Sequence, residues 1–448
     1  MGKGLAHIQL EQAYTMKLQH KKYWLQPGLL CLILSISSAY HWMTSQGAEL
    51  DVSPSLTAPA PLTASQQKGY LKAQKRIQAA HETKATTLDL QGLGLAELPP
   101  DIGQLRHVQI IYLVGNSLQT LPPEIGQLKQ LKTLNLSGGN LNRLPPEIGQ
   151  LSNLQSLNLY KNQLRTLPPE IGQLKQLQRL DIRNNRLSAL PPEIGGLQNL
   201  KRLTLHHNQL KTLPPEIGEL KNLQKLAVDY NQLHRLPVEI GQLENLVSLG
   251  LPYNKLKHLP VSIGQLNNLQ VLGLNFNQLT HLPPEISQLH RLEVLSLTSN
   301  KLQRFPTEII HLTNLEVLHL GASPESLAFS VQFHLKEEYA TTFNQVSSLP
   351  PEIGQLTQLQ DLNLGSCTLL NLPPEIGQLV NLQMLGLSNN GLMSVPHEIG
   401  RLANLQGLEL SYNQLKSLPP ELKALTRLEY LNLSNNPLPA EVMKQHQQ

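Results

Sequence analysis

The 448 residues carry 36 Lys and Arg against 32 Asp and Glu, and only 4 % are aromatic. The surplus sits in front: residues 1–39 hold Lys3, Lys17, Lys21 and Lys22 against Glu11, leaving 32 basic and 31 acidic residues in the remainder. A body this close to neutral lacks the footprint of a nucleic-acid binder, and the 2 cysteines, with no matching histidine cluster, exclude a cysteine-rich zinc site.

In chain order, Lys21 and Lys22 precede the apolar run Gly28–Ala39, whose Ser37 and Ala39 are the small residues of a cleavage site. Basic, then apolar, then small is the order of a secretory signal peptide, and Met16–Ala39 would make a compact one alone. A membrane anchor is the rival reading, because Tyr23–Gly47 contains no Asp, Glu, Lys or Arg and Trp24 and Trp42 bracket the run. Its strongly apolar part is about 12 residues, short of the ~20 a span needs, and Pro27 weakens it further. A third reading is an apolar patch on a cytosolic protein. The first two both place the rest of the chain outside the cytosol, in the periplasm, at the cell surface or secreted, since Lys21 and Lys22 stay inside. Residues 40–65, rich in Pro, Ser, Thr and Ala from Glu49 onward, read as a linker. Over 66–87, Tyr70, Leu71, Ile77 and Ala80 recur on one face, with Lys68, Lys72, Lys75 and Arg76 elsewhere. That spacing predicts a helix over Gln66–Thr83 capping the open end of the next segment.

From Leu88 to Leu438 the chain falls into a repeating frame, one unit of which is Leu157–Arg179, LNLYKNQLRTLPPEIGQLKQLQR. Sixteen unit starts, from Leu88 through Leu318, Tyr339 and Leu362 to Leu431, predict about fifteen repeats plus a partial one, with residues 439–448 as a tail. Leu-x-Leu is a strand with one face inward. Pro-Pro-Glu opens a short helical turn, because proline suits a first helical position and Glu faces the positive end of the dipole. The apolar side of that turn (Ile171, Leu174, Leu177) points inward, and Gly172 is expected to keep it short. One unit cannot bury its own face, so neighbours must stack into an α/β repeat solenoid. An asparagine after each strand is expected to satisfy buried backbone groups, since its amide both donates and accepts. Asn116, Asn162, Asn185, Asn208, Asn231, Asn254, Asn277, Asn300, Asn344, Asn390, Asn413 and Asn436 fill that position, and Cys367 substitutes in it as a buried structural thiol rather than a nucleophile. Leu93, Gly139 and Ser323 also take that position. The unit 318–338 is shorter than the frame and lacks Pro-Pro-Glu; it reads as a decayed repeat, with a bulge as the alternative.

LPPEIGQL phrases such as Leu121–Leu128, Leu167–Leu174 and Leu372–Leu379, together with the lead-in from Arg76 through Thr87-Leu-Asp-Leu, resemble bacterial leucine-rich repeat proteins, plant intracellular Ras-group leucine-rich repeat proteins and Ras-pathway scaffold leucine-rich repeat proteins. The resemblance covers Arg76–Leu438. It implies a horseshoe with a parallel sheet on the concave side, short helical turns on the convex side, and protein-binding duty. Some relatives add a GTPase or kinase domain after the repeats, for which the twelve residues past Asn436 leave no room.

Function should be written in the residues before the first Leu, between the two Leu, and in the two after them, because the rest of the frame is committed to the core. Tyr112, Tyr160, Tyr230, Tyr253, Phe276, Phe343, Tyr412 and Tyr430 fall in these columns, and Tyr230, Tyr253 and Phe276 hold one column in three successive units. Arg179, Arg183, Arg202, His206, His207, Lys225 and Asp229 lie alongside, Asp229 in an exposed column. Aromatic and Arg clusters are the composition of protein-binding hot spots, so Tyr160, Arg183, His206, Tyr230, Tyr253 and Phe276 are the candidate binding residues. The competing reading is that these side chains pack on one another. Small residues from Ser248 onward (Gly250, Gly273, Ser296, Thr298) confine the patch. His206-His207 lacks a third metal ligand, no phosphate loop or nucleophile turn occurs, and no cofactor is expected. The expectation is a monomeric, non-enzymatic scaffold or receptor-like module with a protein partner. A cytosolic regulator of small GTPases (by family analogy alone) and a glycan-binding surface protein are the alternatives.

Overall fold

The computed structural model describes residues 62–322 and 343–445. The signal or anchor run and nearly all of the linker lie outside them. Among the described residues no helix is long and apolar enough to cross a membrane. Helix α1 (Ala64–Thr83) begins at Thr63, whose hydroxyl accepts from the Gln66 amide while the Gln66 side chain accepts from the Thr63 N–H. This reciprocal cap satisfies two backbone donors at once. The buried face is Gly69, Ala73, Ile77 and Ala80, and Leu71 is 49 % exposed. The expected face through Tyr70 and Leu71 is therefore rotated, and Gly69 gives the reason: a Cβ there would sit 2.0 Å from the Leu93 carbonyl oxygen. Backbone meets backbone at that point, which draws the 69-73-77-80 stripe onto the first repeat. Arg76 fastens the helix to the sheet by donating to the Asp89 carbonyl at 2.8 Å.

Among the described residues, fifteen three-residue strands, β1 (Thr87–Asp89) through β15 (Tyr430–Asn432), form one open parallel sheet in chain order. The central residue of the first 14 strands is a buried Leu or Ile, and each fully described unit returns through a five-residue 3₁₀ turn. The Ile of each Pro-Pro-Glu-Ile turn is fully buried, so strand and turn close on one continuous core. The turn glycines do more than shorten the segment. A Cβ on Gly172 would fall 2.2 Å from the Glu193 carbonyl oxygen, one repeat on. Glycine is what lets successive turns touch.

Two sets of asparagines stitch the stack. Asn231 accepts from the Leu210 N–H at 3.0 Å and donates to the Leu205 and Val228 carbonyls, both at 3.0 Å. The same triad of bonds recurs from Asn116 to Asn436. A second row runs along the turns: Asn153, Asn199, Asn222 and Asn245 each donate to a backbone carbonyl of the preceding repeat, those of Lys129, Lys175, Gln198 and Lys221. Its signal in the sequence is a recurring x-Asn-Leu.

Strand β11 (Val317–His319) pairs directly with β12 (Asp361–Asn363), Leu318 opposite Leu362. The reading of a separate repeat beginning at Tyr339 is thus replaced by a single long unit, 318–361, which among its described residues contributes one strand to the sheet. Asn344 donates to Leu320 and Leu297 and accepts from Leu302, so it supplies the ladder bonds of the unit that starts at Leu318, in place of Ser323. The irregular stretch is an insertion between a strand and its ladder asparagine, and its residues 323–342 lie outside the described ones. At the far end α2 (Ala440–Gln445) comes after the last strand.

Candidate binding face

The strands are so short that the chain turns immediately after the second Leu. In most units the residue before the ladder position has a left-handed backbone: His207, Tyr230, Tyr253 and Phe276 have φ of 52°, 52°, 54° and 53°. Large side chains avoid this region, yet here they occupy it four times running. Their rings stack, each 4.2 Å from the next and tilted by 9–16°. Neighbouring aromatic contacts contribute ~0.5–1.5 kcal/mol each, comparable with the ~1–3 kcal/mol of such a backbone position.

The rings do not lie open as a strip of faces. Phe276 is 8 % exposed and His207 6 %, while Tyr230 and Tyr253 are half-buried. Burial pulls the His207 imidazole down to about 4, helped by the charges of His206 and Arg183, so the ring in the stack is neutral at neutral pH. Burial likewise raises both phenols. The stack is a wall, with the edges of two tyrosines showing.

One residue earlier lies a second column, and it is internally paired. Arg183 forks onto Asp181, Nε–Oδ1 2.8 Å and Nη2–Oδ2 2.6 Å, and its guanidinium lies 5.1 Å from the centre of the Tyr160 ring. The Asp181 hydrogen bond, opposed by desolvation, holds the Arg183 pKa up. His206 Nδ1 lies 3.1 Å from Asp229 Oδ2, and the Asp229 side chain is 15 % exposed. Asp229 is therefore a largely buried carboxylate lying against His206, not a free surface residue. The six candidate residues fall into two groups: Tyr160, Arg183 and His206 on the column after the strand, and Tyr230, Tyr253 and Phe276 in the stacked wall. Of the other aromatics, Tyr412 is 55 % exposed and Tyr430 40 %, its hydroxyl donating to Glu409 at 2.6 Å.

Beside the wall the sheet is bare. Strands β8 (Ser248–Gly250) and β9 (Val271–Gly273) put Gly250 and Gly273 opposite one another in register. A Cβ on Gly273 would meet only Pro252 at 3.6 Å and Gly250 at 4.0 Å, ordinary contact distances. At Gly250 the nearest obstacle is the movable Asp229 carboxylate at 2.9 Å. Packing does not demand Gly273, and at Gly250 a side chain requires only that the Asp229 carboxylate swing aside. Glycine weakens a strand interior and marks places where another backbone approaches.

The buried Cys367 at the ladder position donates its N–H to Asn390 Oδ1 at 3.1 Å, and burial pushes its thiol up to about 12. It offers no thiolate near neutral pH.

Family models described as leucine-rich repeat region match residues 86–161, 124–188, 147–231 and 194–278, and those described as leucine rich repeat match 267–324 and 380–438. No protein of curated function matches the sequence. Among solved structures, a leucine-rich repeat protein of Leptospira interrogans is 44 % identical, with 83 % of this chain and 95 % of that one covered and a TM-score of 0.67. YopM, a leucine-rich effector protein from Yersinia pestis, is 26 % identical over 90 % of this chain and 93 % of its own, with a TM-score of 0.57. An internalin of Listeria monocytogenes, 21 % identical with a TM-score of 0.62 over 84 % of this chain and 100 % of its own, shares the fold.

Proposed function

Since the chain belongs to the leucine-rich repeat proteins, whose frame residues are spent on the core, we propose that it is a non-enzymatic module that captures another protein on its sheet face. The observation that carries this reading is the shelf at Gly250 and Gly273: two adjacent strands forgo side chains that the fold could hold, beside a rigid aromatic wall. A segment of the partner lies across β8 and β9 with its backbone close to the sheet, against the edges of Tyr230 and Tyr253. Preorganisation favours the arrangement, because a wall already stacked loses little freedom when covered. Phe276 acts by fixing Tyr253 in place.

The test is affinity capture from a native extract with the full chain immobilised, read by mass spectrometry. Gly250→Val with Gly273→Val should keep the melting point and lose the proteins that the parent enriches. An exposed pair away from the face, Lys211→Ala with Lys257→Ala, should keep them. Identical capture by the two double variants sinks the proposal. The module is further proposed to work outside the cytosol, on the strength of Lys21-Lys22 and the apolar run up to Ala39.

A further inference from the structure

Next to the shelf, three strands carry charge that is left unpaired among the described residues. In β5 (Arg179–Asp181), β6 (Arg202–Thr204) and β7 (Lys225–Ala227), Arg179 stands opposite Arg202 and Arg202 opposite Lys225. Lys201 precedes Arg202, and together with Gln178 and Gln224 the four cations line a shallow cleft of about 200 Å³. Arg179, Lys201 and Arg202 are exposed and Lys225 is half-buried. None of the four side chains makes an ion pair or hydrogen bond among the described residues; of the nearby acids, Asp181 is held by Arg183, and Asp229 lies against His206 and not against any of the four. Like charges directly opposite on neighbouring strands destabilise a sheet.

We propose that this cleft binds an acidic stretch of the partner protein, a run of Glu or Asp side chains continuing from the segment on the shelf; the inference rests on the protein-binding reading above. Two features select a short acidic peptide over a long polyanion. The column is bounded, with Ser156 one strand before it and Ser248 one strand after, so a nucleic acid or sulfated polysaccharide would leave most of its charge unmatched. Its span, two strand spacings or ~10 Å, holds two alternate side chains of an extended peptide, which lie ~7 Å apart on one side, and no more. The cleft is also contiguous with the shelf, since β7 pairs β8. Charges placed this way govern steering and register more than total affinity.

The test uses the full chain and a dye-labelled, end-capped peptide of about ten residues alternating Glu and Ser, read by fluorescence anisotropy at about 50 mM and about 500 mM salt. A Gln-Ser analogue, a sulfated hexasaccharide and a short single-stranded oligonucleotide are run beside it. The expected result is binding of the Glu peptide that is lost at high salt and absent with the Gln analogue. Arg179→Gln, Lys201→Gln, Arg202→Gln, Lys225→Gln together should weaken it at least ~10-fold, and Arg202→Glu alone should weaken it in the same direction. A control removing four exposed cations elsewhere, Arg165→Gln, Lys211→Gln, Arg235→Gln, Lys257→Gln, should stay within about 2-fold, as remote surface changes do. The melting point of the cleft variant should hold or rise, because repulsion is relieved. Equal weakening in both quadruple variants, or cleft-dependent binding of saccharide or oligonucleotide in preference to the peptide, overturns the proposal. Either outcome leaves the shelf experiment standing on its own, since that one changes no charge.

Discussion

At the scale of single residues the ladder asparagines and the face residues obey different energetics. Asn231 satisfies three buried backbone groups. Asn231→Ala should therefore cost ~1–3 kcal/mol, the penalty for buried polar groups left unpaired. Lys211 is exposed, and Lys211→Ala should change stability by at most about 0.5 kcal/mol in either direction. Urea melts of the two variants check this, and similar midpoints would refute the ladder. Asp229, whose column reads as exposed in the sequence, would not behave like Lys211, because its side chain is only 15 % exposed against His206. Cys367 provides a chemical test. Its thiol, pushed up to about 12, stays protonated at pH 8, where a free cysteine is partly thiolate. Iodoacetamide should leave it unmodified in the native protein and alkylate it in denaturant, as peptide mapping would show. Native labelling would mean that the ladder position is open.

At the scale of elements the glycines separate into two kinds. In the turns they permit contact: Gly172→Ala puts a methyl group against the Glu193 carbonyl and should destabilise by ~1–3 kcal/mol, in the range of overpacking. On the strand, Gly273→Ala meets no obstacle and should be neutral or stabilising by up to ~1 kcal/mol, the usual gain from a compatible Gly→Ala change. Opposite signs in a thermal melt are expected; two losses of the same size would count against the shelf. The junction between β11 and β12 adds a pH dependence. His319 Nε2 lies 3.1 Å from Asp361 Oδ2. Burial alone pulls the imidazole down, but the Asp361 charge and hydrogen bond outweigh it, and the folded pKa is raised. A raised histidine stabilises the folded state in full below its unfolded pKa of ~6.5 and loses that contribution as pH climbs through the folded value. His319→Gln should accordingly lower the melting point most at about pH 6 and progressively less above neutrality. A difference that does not change with pH would show that the pair is not ionic.

At the scale of the whole molecule, the insertion, the wall and the charged cleft sit on one stack, whose export is proposed from residues 1–39. A reporter fused after Ser65 and active only when exported should be active, with a mature N-terminus that has lost the apolar run or a chain held at the membrane by it. Activity confined to a cytosolic reporter, with the N-terminus still at Met1 or Met16, would falsify the export proposal. The repeat fold was readable because the period is set by what each position must bury. The period could not reveal that residues 318–361 make one unit instead of two, because Phe343-Asn344 completes a repeat pattern in sequence while its asparagine serves the strand at Leu318 in space.

The fold was determined by local and repeated physics. Leu-x-Leu alternation, the proline-started turn and the buried amide are needed in every repeat, and a need that recurs at a fixed period is visible in one dimension. The candidate face was readable only as columns. That Tyr230, Tyr253 and Phe276 share a column comes from counting; that their rings stack into a wall comes from the left-handed corner at φ 52–54°, which turns the side chains along the edge of the sheet. Likewise the sequence shows Arg179, Arg202 and Lys225 at matching positions, but not that the nearest carboxylates lie against Arg183 and His206 instead of against them. Which charge is left over is decided by how close side chains come across neighbouring strands, and that distance exists only in the folded stack.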